Sequence, residues 1–353
     1  MAGEPPLVRA SGLHVHFPMR SQMPFRRSVT EVVRAVDGVD LHVRRGETLG
    51  LVGESGCGKS TLGQALVRLI DPSAGTVEFD GVDTATLSAS ALRSLRRRMA
   101  VIFQDPFASL DPRRTVGDTI GEPLAIHGLH RGRRRRRARI GELMEVVGLD
   151  PDHRGRYPHE FSGGQRQRVG IARALAGEPE FVVCDEPIAS LDVSVQAQVM
   201  NLLVRLQRDF GLTYLFVSHD LAAVRQVADR VAVMYLGRIV EIGAAPSVVD
   251  DPQHPYTEAL VSAVPAPSPR KERARDRIVL GGDIPSPAAP PSGCRFRTRC
   301  PKVFDPCPHY DPVLQPVGGD DALGGDDAVG GDTGDADAAQ GHQAACHLHG
   351  VRG

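Results

Sequence analysis

The stretch Gly53-Glu54-Ser55-Gly56-Cys57-Gly58-Lys59-Ser60-Thr61 decides the fold of this chain. It has the spacing G-x-x-x-x-G-K-S/T, in which glycines let the backbone wrap a phosphate group and point successive N–H groups at its oxygens. We expect Lys59 to reach the β- and γ-phosphates of a nucleotide and the Ser60 hydroxyl to bind Mg²⁺. A helix that begins near Lys59 adds its positive N-terminal end. The stretch therefore predicts a phosphate-binding loop.

The sequence on either side of this loop predicts a strand before it and a helix after it. Residues 47–52 form a largely apolar run, which is typical of a buried strand. Residues 61–70 predict a helix that stops at Asp71-Pro72. This setting favours a phosphate loop over a glycine-rich turn with a chance lysine. From Phe181 onward, strand and helix patterns alternate, which predicts an α/β protein with a mostly parallel sheet.

The composition excludes several classes of function. The chain has 353 residues and a formal net charge of −1, so its overall charge gives no attraction to nucleic acid or to an anionic membrane. No apolar run reaches the roughly 18 residues of a membrane-spanning helix, and the N-terminus has no signal-peptide core. We therefore expect a soluble protein with no nucleic-acid partner, which reaches a membrane only through other subunits.

Two segments differ from the α/β pattern. Residues 106–177 predict a helical insertion, in which the arginine run 133–137 precedes an amphipathic helix over 140–147. An arginine run could bind nucleic acid or lipid headgroups, but no aromatic side chain interleaves this one, so we favour a solvated helix start. Residues 18–33 are polar and basic and predict a surface insertion after a strand that ends at Phe17.

Three further motifs follow the phosphate loop. The run Ser162-Gly163-Gly164-Gln165 opens a predicted helix and predicts a second anion site. An apolar strand then ends in Asp185, which can hold Mg²⁺ through water, and Glu186, which can polarise an attacking water. His219 follows the next strand and lies at the same sheet edge. A paired Asp-Glu is often only a cap and a lone histidine is usually structural, but all three motifs in this order indicate nucleotide hydrolysis.

With these motifs, residues 7–264 resemble the ATP-binding cassette (ABC) family of transporter ATPases. The resemblance implies an α/β fold of the P-loop NTPase type, with a mixed sheet, an antiparallel β subdomain and a helical subdomain. It also implies that ATP and Mg²⁺ are the ligands. The positions that match the family's motifs are Walker A at Gly53–Thr61, the Q-loop at Gln104 (a further Mg²⁺ contact), the signature at Ser162–Gln165, Walker B at Asp185 and Glu186, the D-loop at Ser190-Leu191-Asp192, the switch histidine at His219, the adenine-stacking aromatic at Phe17 with Phe25 as the alternative, and a nucleotide contact at Val36.

The resemblance narrows to the oligopeptide/dipeptide importer ATPases through residues 103–113, the run His254-Pro255-Tyr256-Thr257 and a cysteine-containing tail. Some members of that subfamily hold an iron–sulfur cluster on such cysteines. The spacing C-x5-C-x6-C is unlike the usual C-x2-C zinc pairs, and four cysteines suit a 4Fe–4S cluster, although zinc and reduced thiols remain alternatives. Three intervening arginines could offset the negative charge of such a cluster. The tail residues concerned are the cysteines Cys294, Cys300, Cys307 and Cys346 and the arginines Arg295, Arg297 and Arg299.

The resemblance also implies how the chain works. It predicts a head-to-tail dimer with a second, distinct ABC ATPase subunit, in which each ATP touches the Walker A loop of one subunit and the signature of the other. Closure would act, through the segment after Gln104, on two transmembrane permease subunits that receive cargo from an extracytoplasmic solute-binding protein. The chain would lie at the cytoplasmic face of the membrane and energise import of di- or oligopeptides.

Other functions of related ATPases were weighed against peptide import. Nickel and glutathione importers use similar ATPases, and these substrates stay open. A DNA-repair ATPase of this superfamily has a long coiled coil between Walker A and the signature, but no sustained heptads occur here. A ribosome-binding translation factor of the superfamily has two cassettes per chain, and this sequence has one phosphate loop. Peptide import is therefore the leading prediction.

These interpretations divide the chain at residue 264. Residues 1–264 form the predicted nucleotide-binding domain, and residues 265–353 form a small irregular C-terminal extension. Residues 265–292 are rich in proline, serine and charge and predict a linker or a wrapped segment. Residues 317–345 contain aspartate, glycine and alanine but no lysine or arginine, and this composition predicts disorder.

Overall fold

The computed structural model describes residues 5–20, 30–105, 109–189, 191–264, 277–317 and 341–350. In these ranges the strands are β1 Val8–Arg20, β2 Thr30–Val43, β3 Thr48–Val52, β4 Ala74–Phe79, β5 Val82–Asp83, β6 Met99–Ile102, β7 Phe181–Asp185, β8 Thr213–Ser218, β9 Arg230–Tyr235, β10 Arg238–Ala244, β11 Gln315–Pro316 and β12 Gln343–Ala344. The α-helices are α1 Lys59–Leu66, α2 Ala89–Arg97, α3 Val116–Ile126, α4 Arg133–Val146, α5 Gly163–Leu175, α6 Val193–Phe210, α7 Leu221–Val227, α8 Ala245–Asp250 and α9 Pro255–Ala263.

The strands of the described residues form two sheets. The smaller sheet is antiparallel, with the order β2-β1-β4-β5. The larger sheet has the order β11-β12-β10-β9-β3-β8-β7-β6 and is parallel from β9 to β6. Every residue of β3, β7, β8 and β9 is buried, as expected for parallel strands that are covered on both faces. The predicted α/β fold with a mixed sheet and an antiparallel β subdomain is confirmed.

Two hydrophobic cores lie on either side of the larger sheet. One fills the space between the two sheets and includes α1 through Leu62 and Leu66. The other lies under α3, α4, α5 and α6 and extends to the C-terminal segment through Phe296. Because the phosphate loop joins β3 to α1, it is anchored at both ends in buried structure. Among the described residues, no helix is both long enough and apolar enough to cross a membrane.

The predicted surface insertion at residues 18–33 is wrong at both ends. Strand β1 continues to Arg20, and β2 begins at Thr30, which is the register partner of Arg20. Antiparallel pairing satisfies the backbone N–H and C=O groups here, so polar side chains do not end the strands. Residues 21–29, including the alternative adenine-stacking residue Phe25, lie outside the described residues.

The arginine run lies inside a helix and not before it. Helix α4 begins at Arg133, so residues 133–137 form its first turns, and its buried side chains are Ile140, Leu143 and Met144. Arginine has a high helix propensity, which explains why the helix starts earlier than the apolar pattern indicates. The arginines are mostly exposed, which fits a solvated helix face.

The predicted disorder of residues 317–345 is wrong at its two ends. Residues 343–344 form β12, which pairs with Glu241 and Ile242 at the edge of β10, and the N–H of Val317 donates to the carbonyl of His342 at 2.9 Å. A free sheet edge supplies backbone partners regardless of composition, and composition was the basis of the prediction. Residues 318–340 lie outside the described residues. The division of the chain at residue 264 stays a prediction.

Candidate nucleotide site

The phosphate loop lies between the buried strand β3 and the first residue of α1. Gly58, the N-cap of α1, has a φ of +109°, and a Cβ atom there would lie 2.0 Å from the carbonyl oxygen of Ala35. Only glycine fits this conformation and this contact. The loop lines a cavity of about 190 Å³. The described residues that line it are Val33, Arg34, Ala35, Ser55, Gly56, Cys57, Gly58, Lys59, Ser60, Thr61, Gln104, Glu186 and Pro287.

The ammonium group of Lys59 is held by the loop itself. The residue is 4% exposed, and its Nζ donates to the carbonyl oxygens of Gly53 at 2.7 Å and Glu54 at 2.9 Å. A compact charge with three donors is thus fixed beside the cavity. The contact of Lys59 with the β- and γ-phosphates stays a prediction.

Ser60 and Asp185 are brought together although they lie in different motifs. The Ser60 hydroxyl donates to Oδ1 of Asp185 at 2.8 Å. Asp185 is 5% exposed, and burial raises the pKa of its carboxyl, while the Ser60 hydrogen bond favours the charged form. Hydroxyl and carboxylate oxygens are the ligands that Mg²⁺ prefers. The pair therefore offers a place for the Mg²⁺ of a bound nucleotide, beside Lys59.

Glu186 lies close to the other two predicted catalytic residues, Gln104 and His219. Its Oε2 accepts a hydrogen bond from Nε2 of Gln104 at 2.9 Å and lies 3.3 Å from Nδ1 of His219. Its backbone N–H donates to Val217 of β8 at 3.0 Å. Glu186 has a φ of +45°, which is uncommon for a residue with a side chain and is found at functional sites. The end of β7 therefore aims this carboxylate at the edge of the cavity.

The signature run does not contribute to the described lining of this cavity. Ser162 is the N-cap of α5 and exchanges hydrogen bonds with Gln165, of which the one from the Ser162 N–H is 2.9 Å long. Both residues are exposed, and none of residues 162–165 is among the described residues that line the cavity. Asp192 is also exposed, and its side chain makes no capping hydrogen bond at the start of α6. The second predicted anion site is therefore open to another molecule.

Two predicted nucleotide contacts have different outcomes. Phe17 in β1 is opposite Val33, which lines the cavity, and it is 39% exposed. Val36 is fully buried in the core between the sheets, so its side chain is not available to a ligand. This corrects the expectation for Val36, since the residues of β2 that line the cavity are 33–35.

The four tail cysteines are free thiols that lie near one another. The N–H of Cys294 donates to the carbonyl of Cys307 at 2.8 Å. Burial raises the pKa of Cys294 to about 12 and that of Cys346 to about 11, and it also raises the pKa of Cys300. In each of these three thiols, the sulfur accepts a hydrogen bond from the backbone N–H two residues later, which favours the thiolate.

The tail arginines have other partners within the chain. Arg295 forms an ion pair with Asp37, Arg297 donates to the carbonyl oxygen of Ser292, and Arg299 forms an ion pair with Glu54. The side chains of Arg295 and Arg299 are buried, so their charges are already balanced by carboxylates. That these arginines offset the charge of a cluster stays a prediction.

The sequence reasoning missed two groups near the site. Oδ1 of Asp37 is 3.0 Å from Nδ1 of His14 and 2.8 Å from Nε2 of His16, and these two histidines lie two residues apart on one strand. Their H-x-H spacing could have indicated a shared partner, because alternate residues of a strand face the same side. Pro287 lies in the segment predicted to be a linker or a wrapped segment; it lines the cavity, and its carbonyl accepts from the Arg34 N–H at 3.1 Å.

Comparisons with known proteins agree with this geometry. Residues 36–189 match the ABC transporter family, and residues 240–307 match the family described as the oligopeptide/dipeptide transporter C-terminal region. The oligopeptide transport ATP-binding protein AppF of Bacillus subtilis (strain 168) is 47% identical over 349 residues, which cover 99% of both chains. The oligopeptide transport ATP-binding protein OppF of Salmonella typhimurium is 49% identical over 309 residues, which cover 88% of this chain and 92% of that protein.

A solved structure extends the comparison to the fold. An ATP-binding cassette dimer in a post-hydrolysis state, bound to ADP and Pi, superimposes with a TM-score of 0.58 and 28% identity over 67% of this chain and 98% of the other. The fold and the nucleotide site define an ATP-hydrolysing cassette, and the chain belongs to the ABC transporter family. Within that family it belongs with the ATP-binding proteins that carry the oligopeptide/dipeptide transporter C-terminal region.

Proposed function

We propose that this chain is the ATP-binding subunit of a peptide importer and that it hydrolyses ATP to drive alternating access of its permease. The observation that carries the proposal is that Lys59, Ser60 and Glu186 line one cavity. Asp185 is hydrogen-bonded to Ser60, and Gln104 is hydrogen-bonded to Glu186. The names of the relatives AppF and OppF support oligopeptides as the cargo. Nickel and glutathione are the alternative cargoes.

The hydrolytic roles follow from the geometry. Lys59 would neutralise charge on the β- and γ-phosphates, and Ser60 and Asp185 would hold Mg²⁺, the latter through water. Glu186 would accept a proton from the attacking water, with Gln104 and His219 orienting its carboxylate. The proposed contact of Gln104 with Mg²⁺ would replace its hydrogen bond to Glu186. Phe17 would stack on adenine.

The exposed signature supports a dimer. The transition state spreads negative charge over the transferred phosphoryl group and needs donors on both sides, and residues 162–165 cannot supply them to their own phosphate loop. A second ABC ATPase, similar but distinct, would face this chain head to tail, and Asp192 would lie at that interface. We expect the isolated chain to be a poor ATPase for this reason.

An apolar groove supports contact with a permease. Phe103, Leu69 and Ile126 are 39%, 53% and 65% exposed and line a groove of about 540 Å³. Phe103 directly precedes Gln104 in the sequence. Exposed apolar side chains that cluster in this way mark protein interaction sites. A cytoplasmic helix from one of the two permease subunits would fill the groove, and the chain would then lie at the cytoplasmic face of the membrane. Movement of Gln104 on nucleotide binding would then be transmitted to the permease.

We propose that the four tail cysteines hold a 4Fe–4S cluster. All four are free, and three of the sulfurs accept backbone hydrogen bonds of the kind that tune such clusters. Zinc held by the same four sulfurs, and reduced thiols, are the alternatives. The cluster would supply folding energy to a segment with little regular structure.

Reconstitution tests the proposed function. The chain would be assembled in lipid vesicles with its partner ATPase, the two permease subunits and the solute-binding protein. We expect peptide-loaded binding protein to stimulate ATP hydrolysis and to drive peptide uptake. Stimulation by nickel or glutathione but not by peptides would refute the peptide assignment and leave the ATPase role. Hydrolysis that no cargo stimulates would refute an importer role.

A further inference from the structure

Glu54, inside the phosphate loop, is held by residues far away in the sequence. Both guanidinium nitrogens of Arg299 donate to its carboxylate, NH1 to Oε2 at 2.6 Å and NH2 to Oε1 at 3.0 Å. The backbone N–H of Glu54 donates to the Tyr256 hydroxyl at 2.8 Å. Its carbonyl accepts from Lys59, as described above. Three separate groups of Glu54 are therefore fixed, two of them by the C-terminal part of the chain.

The two outside contacts come from well-packed side chains. The Arg299 side chain is 7% exposed, and Tyr256 is fully buried between Tyr235 and Phe296, with ring centroids 4.8 Å and 5.4 Å away. A bidentate arginine–carboxylate pair has a defined geometry as well as strength. Burial raises the pKa of the Tyr256 hydroxyl, which keeps it neutral. These anchors can therefore hold the loop in one conformation.

The charge of Glu54 makes this contact important for nucleotide binding. Its carboxylate belongs to the same loop that must receive a triphosphate, and a free carboxylate there would repel the phosphates. Arg299 neutralises it. Because Lys59 rests on the carbonyls of Gly53 and Glu54, the orientation of Glu54 also sets the position of the Lys59 ammonium group.

We infer that Arg299 is a positioning residue for ATP binding: it neutralises Glu54 and, together with Tyr256, holds the phosphate loop in its receptive conformation. Because Arg299 belongs to the C-terminal extension, this extension contributes to ATP binding. The inference rests on the proposed role of residues 53–61 in binding phosphate. It predicts a change in ATP affinity from a residue that touches no nucleotide.

The test compares equilibrium ATP affinity in full-length variants. Arg299→Gln should weaken ATP binding about tenfold, as expected for loss of a coupled charged contact. Adding Glu54→Gln to Arg299→Gln should recover at least about threefold of that loss, because the repelling charge is gone. In the assembled transporter, Arg299→Gln should raise KM for ATP more than it lowers kcat. Recovery by the second substitution distinguishes charge neutralisation from a general structural role.

Arg297→Gln is the matched control, since it removes the same charge from the same segment and Arg297 contacts only Ser292 by hydrogen bonds. It should leave ATP affinity within twofold of the wild type. If Arg299→Gln does not fold, Tyr256→Phe replaces it, because the ring stays and one hydrogen bond to Glu54 is lost; we expect about fivefold weaker binding.

Two results overturn the inference. One is ATP affinity within twofold of wild type in Arg299→Gln, or in Tyr256→Phe where that variant replaces it. The other is a double variant no better than Arg299→Gln alone. Lys59→Ala distinguishes failure of this inference from failure of the proposed site. Unchanged ATP affinity in Lys59→Ala refutes the phosphate-binding role of the loop. Weaker ATP binding in Lys59→Ala together with wild-type ATP affinity in Arg299→Gln refutes only the role of Arg299.

Discussion

The buried histidine His254 should make the stability of this protein depend on pH. It is 1% exposed, and its Nδ1 accepts a hydrogen bond from the Tyr256 N–H at 3.0 Å as the N-cap of α9. Burial lowers its pKa from 6.5 to about 4; the nearby Glu241 opposes this shift, and His349 adds to it. Protonation would turn the acceptor nitrogen into a donor and break the cap.

The sign and size of the effect follow from proton binding. Between pH 6.5 and about 4 the unfolded chain binds a proton at His254 that the folded chain does not. This stability is therefore fully present above pH 6.5 and is lost as the pH falls toward 4. The difference between the pKa of 6.5 in the unfolded chain and about 4 in the folded chain corresponds to about 3 kcal/mol of unfolding free energy. About 2 kcal/mol of this is lost by pH 5.

Urea unfolding at pH 8 and pH 5 measures this loss. Asparagine in His254→Asn keeps a capping oxygen but does not titrate. We expect the fall in unfolding free energy between the two pH values to be about 2 kcal/mol smaller in this variant than in the wild type. His130→Asn, at an exposed histidine near Glu178, should keep the wild-type pH dependence. Equal pH dependence in His254→Asn and the wild type would refute the reasoning.

Three further predictions test other parts of the site. Lys59→Ala should weaken ATP binding because the phosphates lose a fixed charge, and unchanged affinity by calorimetry would contradict this. Ile126→Glu places a charge in the apolar groove and should abolish copurification with the permease while ATP binding persists; an intact complex would exclude the groove as the docking site. Anaerobically purified protein should be brown, with about four irons and four sulfides per chain, and Cys300→Ser should lose them. Stoichiometric zinc, or no metal, would rule out the cluster.

The local parts of the site could be predicted from the sequence. The phosphate loop, the Asp185-Glu186 pair and His219 each follow a recognisable strand, and parallel strands bring their carboxyl ends to one sheet edge. The contact of Gln104 with Glu186 follows from the same rule, because β6 and β7 are neighbours. Periodicity and short motifs are therefore enough to predict contacts between residues that directly follow neighbouring parallel strands.

Contacts between distant segments could not be predicted in this way. Arg299 and Glu54 are 245 positions apart, and Tyr256 and Glu54 are 202 positions apart. No local pattern in the sequence relates these residues, since tertiary packing such as that of Phe296 against Tyr235 and Tyr256 brings the tail to the loop. The burial of Val36 was missed for a related reason, because it depends on the packing of β2 against the core between the two sheets.

The central claim is that Glu186 activates water for ATP hydrolysis at the site formed by residues 53–61, 185–186 and 219. Glu186→Gln keeps the shape of the side chain and removes the base, so it tests the claim directly. ATP turnover should be measured in the assembled transporter, together with ATP affinity. We predict that turnover falls by at least ~100-fold while ATP affinity is retained. Near-normal hydrolysis by Glu186→Gln in the complete complex would contradict the account.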